Sequence, residues 1–190
     1  EVKKKDGGSF EVFTPFKRKW RQQFHNIGLE SPEPFIPKPC PTLDDIPAVS
    51  LGAPSSRTLV NSPTATTSAA KARLRAFLEG PIERYGTDRN RPDLDGTSRL
   101  SPYLRFGILS VRTCLRYAER AAQERARIAG SLRIWVDELI WREFYHMILD
   151  QFPQVSNGAF KPQYATIPWD NDSAMFQAWC DGQTGYPIVD

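Results

Sequence analysis

The sequence predicts a mainly α-helical protein, and three observations carry that expectation. From about residue 68 onward the chain is built of helix-forming runs without a strand pattern. Before that, residues 27–67 hold Pro32, Pro34, Pro37, Pro39, Pro41, Pro47, Pro54 and Pro63, and so much proline excludes persistent helix or sheet. Residues 1–26 show one strand-like and one helix-like segment, too little to bury a core. The chain therefore divides into a short α/β tail at 1–26, an extended linker at 27–67 and a helical region at 68–190.

Within the tail, Lys3-Lys4-Lys5-Asp6-Gly7-Gly8 is a charged turn. Phe10-Glu11-Val12-Phe13 follows it and reads as a short strand, because aromatic and β-branched residues succeed a turn. Pro15 sits near the first position of a short basic helix through Arg21. In the helical region, Ala69 to Phe77 is rich in Ala, Leu, Arg and Lys, and Gly80-Pro81 stops it. A second helical stretch covers Thr97 to Ala126, with a break near Leu109-Ser110. Gly130-Ser131 separates a third helix, Leu132 to Asp150, which Pro153 ends; a fourth spans Asp172 to Cys180.

Bulk properties narrow the function classes. Lys and Arg number 25 against 22 Asp and Glu, a net charge of +3, which permits nucleic-acid binding without arguing for it. Aromatic residues make up 12%, enough for a large core or for a surface on which flat ligands stack. Cys40, Cys114 and Cys180 are widely spaced and form no CxxC pair, so neither a zinc site nor a disulfide framework is expected. No apolar run reaches the roughly 20 residues that a membrane-spanning helix needs. The start shows no signal-peptide pattern and no initiator Met, and the end shows no closing segment; the sequence reads as an internal piece of a longer protein.

The run Leu132 to Asp150 carries the first chemical signal. Its apolar residues fall on nearly every face, which is the pattern of a buried helix. It nonetheless holds Glu138, Arg142 and Glu143, and buried charges are costly unless paired or used. Glu138 and Arg142 are spaced to share a face and pair, with Trp141 beside them. A carboxylate, an indole plane and a guanidinium on one stripe suit a flat polar ligand. A core helix whose charges pair with neighbouring helices would show the same residues.

A weaker signal lies in Gly96-Thr97-Ser98-Arg99-Leu100-Ser101-Pro102. Thr97 and Ser98 are candidate helix caps, and hydroxyls around Arg99 at a helix start suit a phosphate. Ordinary caps look the same.

Three blocks then resemble a known family. Tyr85 and Arg89 followed by Thr97-Ser98-Arg99-Leu100-Ser101-Pro102-Tyr103-Leu104-Arg105-Phe106-Gly107 resemble the start of the flavin domain of photolyases and cryptochromes. Glu138-Leu139-Ile140-Trp141-Arg142-Glu143-Phe144-Tyr145 resembles that family's most recognisable helix, and Ala178-Trp179 with Gly182 to Asp190 its next block. Val12 to Phe16 with Trp20 resembles the end of its antenna domain. The likeness is greatest to class I cyclobutane pyrimidine dimer photolyases.

That resemblance implies the N-terminal half of an all-helical FAD-binding domain, preceded by a linker and the tail of an α/β antenna domain. It implies FAD bound by Tyr85, by Thr97, Ser98, Arg99, Leu100 and Ser101 near the pyrophosphate, and by Trp135 and Arg142 lining the flavin pocket. It also implies a second antenna chromophore in the full-length protein. Arg89 would contact DNA, Glu138 the bases of the dimer, and Trp141 the face of the flipped-out dimer; Trp169 matches the outer tryptophan of a photoreduction relay. The implied activity is light-driven repair of pyrimidine dimers in DNA, by a cytoplasmic, bacterial-type protein that is monomeric at full length. Two other classes share parts of this pattern: a cryptochrome-type photoreceptor and a non-catalytic helical nucleic-acid-binding module. Trp141 beside Glu138 argues against the receptor, and the carboxylate of Glu138, which repels phosphates, argues against the binding module.

Overall fold

The computed structural model describes residues 2–27 and 63–190. Among them lie α1 (Phe13–Ile27), α2 (Thr67–Glu79), α3 (Tyr85–Asp88), α4 (Ser101–Arg105), α5 (Val111–Glu124), α6 (Ala129–Gln151) and α7 (Ser173–Cys180), joined by short 3-10 turns, and no strand. The mainly α expectation holds. Cys40 and most of the proline-rich stretch lie outside the described residues. The chain divides into two compact units, Glu1–His146 and Met147–Asp190.

In the first unit the Lys4–Gly8 turn forms as expected, with Gly7 at φ +82°. The strand expected at Phe10–Phe13 does not form, and Phe13 instead opens α1. A strand needs a partner for its backbone groups. Pro15 falls in the first helical turn, where its missing N–H costs nothing. Phe10 finds burial edge-on against Phe16, at 5.9 Å between ring centroids.

Helix α2 is delimited as its sequence predicts. The hydroxyl of Thr66 accepts from the Ala69 N–H, and Gly80 follows the last turn. Ala70, Leu74, Phe77 and Leu78 recur at helical spacing and are buried. At its far end Arg125 donates to the carbonyls of Leu78 and Glu79, satisfying groups that a helix C-terminus leaves open. Helix α5 begins after Ser110, whose hydroxyl accepts from the Thr113 N–H. The break expected near Leu109-Ser110 is therefore a cap.

Helix α6 differs from its sequence reading in two ways. It starts at Ala129, so Gly130-Ser131 lies in its first turn and separates nothing. The Ser131 hydroxyl donates to the Glu83 carbonyl, tying the turn down. Nor is α6 buried on every side. Leu132, Trp135, Leu139, Ile140 and Phe144 are buried, whereas Ile134, Tyr145 and Leu149 are exposed. Among the described residues no polar or charged side chain is buried, so Glu138, Arg142 and Glu143 escape the penalty that an all-round core helix would impose.

The second unit is held by local contacts. Asp172 accepts from the Ala174 and Met175 N–H groups and caps α7, close to the bounds the sequence predicts. Phe152 meets Phe160 edge-on at 5.3 Å. The Asp190 carboxylate accepts from Thr184 N, Thr184 Oγ1 and Gly185 N at 2.6–2.9 Å. These hydrogen bonds, led by the Thr184 hydroxyl, hold its carboxyl below the usual carboxylate range.

Candidate functional site

The end of α3 and the middle of α6 bring four of the predicted residues together. Arg89, which follows α3, places Nη1 at 2.7 Å from Oε1 of Glu138. Its guanidinium also lies over the Tyr85 ring, 5.6 Å from the centroid. Tyr85 is buried and meets Phe77 edge-on at 5.6 Å, while Trp135 packs against Phe77 at 5.3 Å. Burial pushes the Tyr85 hydroxyl above its ordinary pKa, Arg89 opposes the shift, and Glu138 adds to it.

The expected Glu138–Arg142 pair is not formed. Glu138 turns to Arg89, and Arg142 donates instead to the Leu104 carbonyl at 3.4 Å. An i, i+4 pair on a helix surface is worth only about 0.3–0.5 kcal/mol, so a half-buried cross-helix partner that also stacks on tyrosine competes readily. The remaining donors of the Arg142 fork stay available to an anionic or carbonyl-rich ligand.

Trp141 sits one turn beyond Asp137 and is half-buried. Phe13 of α1 stacks on its ring, with centroids 3.5 Å apart and planes 9° from parallel. Tyr145 lies 5.6 Å away at 22°, and Phe144 edge-on at 5.7 Å. Two cations anchor α1 to the same helix: Lys17 and Arg21 reach the Asp137 carboxylate at 3.0 and 2.6 Å. Burial would raise the pKa of Asp137, but the hydrogen bonds from Arg21 and Lys17 outweigh it and hold the carboxyl below its usual range.

The segment from Gly96 to Ser101 is built differently from its sequence reading. Thr97 and Ser98 do not cap a helix; the residue before α4 is Leu100, which makes no side-chain cap, and α4 has only five residues. Arg73 of α2 takes the two backbone carbonyls instead, donating to Ser98 O at 3.1 Å and Thr97 O at 3.3 Å. Asp95 bridges Arg73 and Arg99 at 3.2 and 2.7 Å. Gly96 is required here, because a Cβ would come 2.7 Å from Cβ of Asp88 and 2.9 Å from its carbonyl oxygen. Arg99 adopts φ +50°, an uncommon conformation for a residue with a side chain. Thr97, Arg99 and Ser101 are exposed, Ser98 is half-buried, and Leu100 is a core residue at 1% exposure.

Trp169, in the second unit, is 75% exposed, and its carbonyl accepts from the Asn171 side chain. Cys114 is buried, which pushes its thiol up to about 12, while Cys180 is exposed. Among the described residues no cluster of His, Cys, Asp or Glu could hold a metal ion, and no helix is long and apolar enough to cross a membrane.

Sequence reasoning missed Arg73, Asp137, Lys17, Arg21 and Phe13. Asp137 was findable as one more acid beside Glu138 on a largely apolar helix. The others act across distances in sequence that no local pattern reports.

The chain is similar to a class of flavin-binding proteins. Residues 135–190 match the family described as the FAD binding domain of DNA photolyase. The recognition drawn from the three sequence blocks therefore holds. The wider chain is similar to deoxyribodipyrimidine photo-lyases: it is 39% identical to that of one Thermus thermophilus strain over 96% of this chain and 39% of that protein. It is 34% identical to that of Escherichia coli over 95% of this chain and 38% of that protein. A bacterial class III photolyase of known structure, from Agrobacterium tumefaciens, superposes with a TM-score of 0.72 at 25% identity, covering 100% of this chain and 40% of that one. The chain thus spans about two fifths of the length of the curated relatives it matches.

Proposed function

We propose that the protein carrying this chain is a deoxyribodipyrimidine photo-lyase, which repairs pyrimidine dimers in DNA with light and a bound FAD. The observation that carries the reading is the face of α6 that Glu138 and Trp141 share at i, i+3 spacing: Glu138 pairs with Arg89 at 2.7 Å, and the indole of Trp141 accepts a flat ring at 3.5 Å. A base that reacts must leave the duplex, and a flipped base needs a stacking plane and hydrogen-bond partners. Trp141 supplies the plane and Glu138 the acceptor. Arg89, next to them, is the cation for the DNA backbone.

The residues present fit the cofactor that the matched family names. Thr97 and Ser101 expose hydroxyls on a segment held by Arg73, and Arg99 adds a cation, which suits a pyrophosphate. Arg142 keeps guanidinium donors beyond its one bond to Leu104. Tyr85 and Trp135 act from the core, fixing Arg89 and α6 and not reaching into open space. Reduced FAD, when bound, supplies the photoexcitable electron donor. The chain's own residues bind and orient the dimer, hold Glu138 against it and keep water from the stacked face. Trp169 is proposed as the outer point of electron entry, consistent with its exposure. The DNA substrate, the antenna chromophore, the monomeric state and a cytoplasmic location belong to this same reading, as do a boundary of the antenna domain near residue 26 and of the flavin domain near residue 68.

Comparing affinities for dimer-containing and undamaged DNA tests the reading. Trp141→Ala is expected to weaken binding of the dimer alone, by about 1–3 kcal/mol. An equal loss for both DNAs would make Trp141 a packing residue and remove the reading's main support.

A further inference from the structure

Helices α2 and α5 run side by side in the same direction. The Thr67 hydroxyl reaches the Ile108 carbonyl at one end, and Arg125 reaches the Leu78 and Glu79 carbonyls at the other. The outer side they share is basic. Arg112, Arg116 and Arg120 recur every fourth residue along α5 and are exposed. At about 1.5 Å per residue they stand roughly 6 Å apart along the axis. Arg112 and Arg116 make no ion pair or side-chain hydrogen bond among the described residues, whereas Arg120 is held by Glu124 at 2.8 Å. Lys71 and Arg75, one turn apart on α2, extend the patch. Arg75 lies over the Tyr117 ring, 5.9 Å from its centroid, and donates to the Tyr117 hydroxyl at 3.3 Å. Arg75, Tyr117, Arg120 and Arg125 line a cleft of about 270 Å³ between the helices, together with Glu79 and Glu124.

Stability does not explain this patch. Like charges one turn apart on a helix repel, and a face that is merely solvated mixes both signs. Six cations (Lys71, Arg75, Arg112, Arg116, Arg120 and Arg125) meet three carboxylates (Glu79, Glu119 and Glu124), which leaves +3, as much as the whole chain carries. The patch is also separate from the sites described above. Arg73 leaves α2 on the side away from Arg75 to hold the carbonyls of Thr97 and Ser98, and no residue named for FAD or for the lesion lies on α5. A guanidinium keeps its charge, so such a face resists burial under further chain, and its planar fork matches a phosphate.

We propose that the α2–α5 ridge is a second nucleic-acid contact, which grips the phosphate backbone of duplex DNA without regard to sequence or damage. Phosphates of one strand step about 3.4 Å along the duplex axis, so the roughly 12 Å from Arg112 to Arg120 matches about three to four of them. The choice of DNA over another polyanion rests on the repair function proposed above. Contacts of this kind carry no information about the lesion; they hold the protein on undamaged duplex and let it slide.

The test uses the flavin-loaded full-length protein and an undamaged duplex, with affinity measured across a series of salt concentrations. Arg112→Gln combined with Arg116→Gln removes two phosphate contacts, so the slope of log affinity against log salt is expected to flatten by about 2. Repair per absorbed photon of bound dimer stays at the wild-type value. Gln123→Arg works in the opposite sense: it adds a cation at an exposed position three residues beyond Arg120, and the slope is expected to steepen by about 1. This second variant decides the matter if the first lowers the melting temperature. Unchanged slopes in both variants overturn the inference, as does a loss confined to dimer-containing duplex, which would place these arginines at the lesion site. Trp141→Ala, measured alongside, separates the two readings. If it leaves dimer preference intact while the ridge variants shift the slope, the lesion reading falls and the ridge stands. If it abolishes dimer preference while the ridge variants change nothing, only the ridge falls.

Discussion

The two compact units differ in how they use the same kind of residue. Among the described residues, every core side chain lies in Glu1–His146, where Phe77, Ile82 and Ile140 are at most 1% exposed. Met147–Asp190 is just as aromatic in places, yet Trp169, Phe176, Trp179 and Ile188 are each more than half exposed. The first unit is held by interdigitated side chains. The second is held by caps and turns, such as Asp172 on α7 and Asp190 on Thr184. Burial and hydrogen bonding to loops are different sources of order, and they answer differently to mutation.

Removing a core ring gives the largest expected effect. Phe77→Ala should destabilise by about 3–5 kcal/mol, read from urea unfolding, because Phe77 touches both Tyr85 and Trp135. The matching change in the second unit, Phe176→Ala, should stay within about 0.5 kcal/mol. Similar losses at the two sites would erase the distinction between the units.

Capping gives an intermediate effect. Asp172→Ala should cost α7 about 1 kcal/mol, seen as faster amide exchange at Ala174 and Met175 with the first unit unchanged. Exchange that rose equally in α5 would mean that the units are not independently held.

The smallest effect concerns the anchor of α1. Asp137 has a lowered pKa in the folded state, so its contribution is present above the ordinary carboxylate range and is lost as pH falls through the folded value. Solvent reaches the pairs with Lys17 and Arg21, which limits them to roughly 1 kcal/mol or less. Acidification below about pH 4 should loosen α1, and Asp137→Asn should abolish that pH response. Trp141 fluorescence, with Phe13 stacked on it, reports the change; a transition that persists in Asp137→Asn would assign it to another group.

How far the sequence could be read follows from the same contrast. Helices α2 and α7 were legible because their stop and start signals are local: Gly80 after α2, Asp172 before α7. The strand at Phe10 was not, since a strand exists only with a partner and none is present among the described residues. Glu138 and Trp141 stood out as a charge and an indole on one stripe of an apolar helix, whereas Arg89 and the roles toward the lesion came through the family likeness. The pairing of Glu138 with Arg89 was missed because helical spacing favours Arg142, and only the packing of α3 beside α6 decides between them. Thr97 and Ser98 read as caps because their type fits; Arg73, remote in sequence, takes their carbonyls instead.

The central claim is that the Arg89–Glu138–Trp141 cluster holds the lesion. Glu138→Gln tests it most directly, since it keeps volume and a carbonyl acceptor while removing the charge that both Arg89 and a dimer would use. Charge-assisted hydrogen bonds contribute roughly 1.5–3 kcal/mol. In the flavin-loaded full-length protein, the measurement is dimers repaired per absorbed photon, with FAD content checked by absorbance. The account predicts a clear drop in repair with FAD still bound. Repair at the wild-type yield would contradict it and return Glu138 to the role of a structural ion pair.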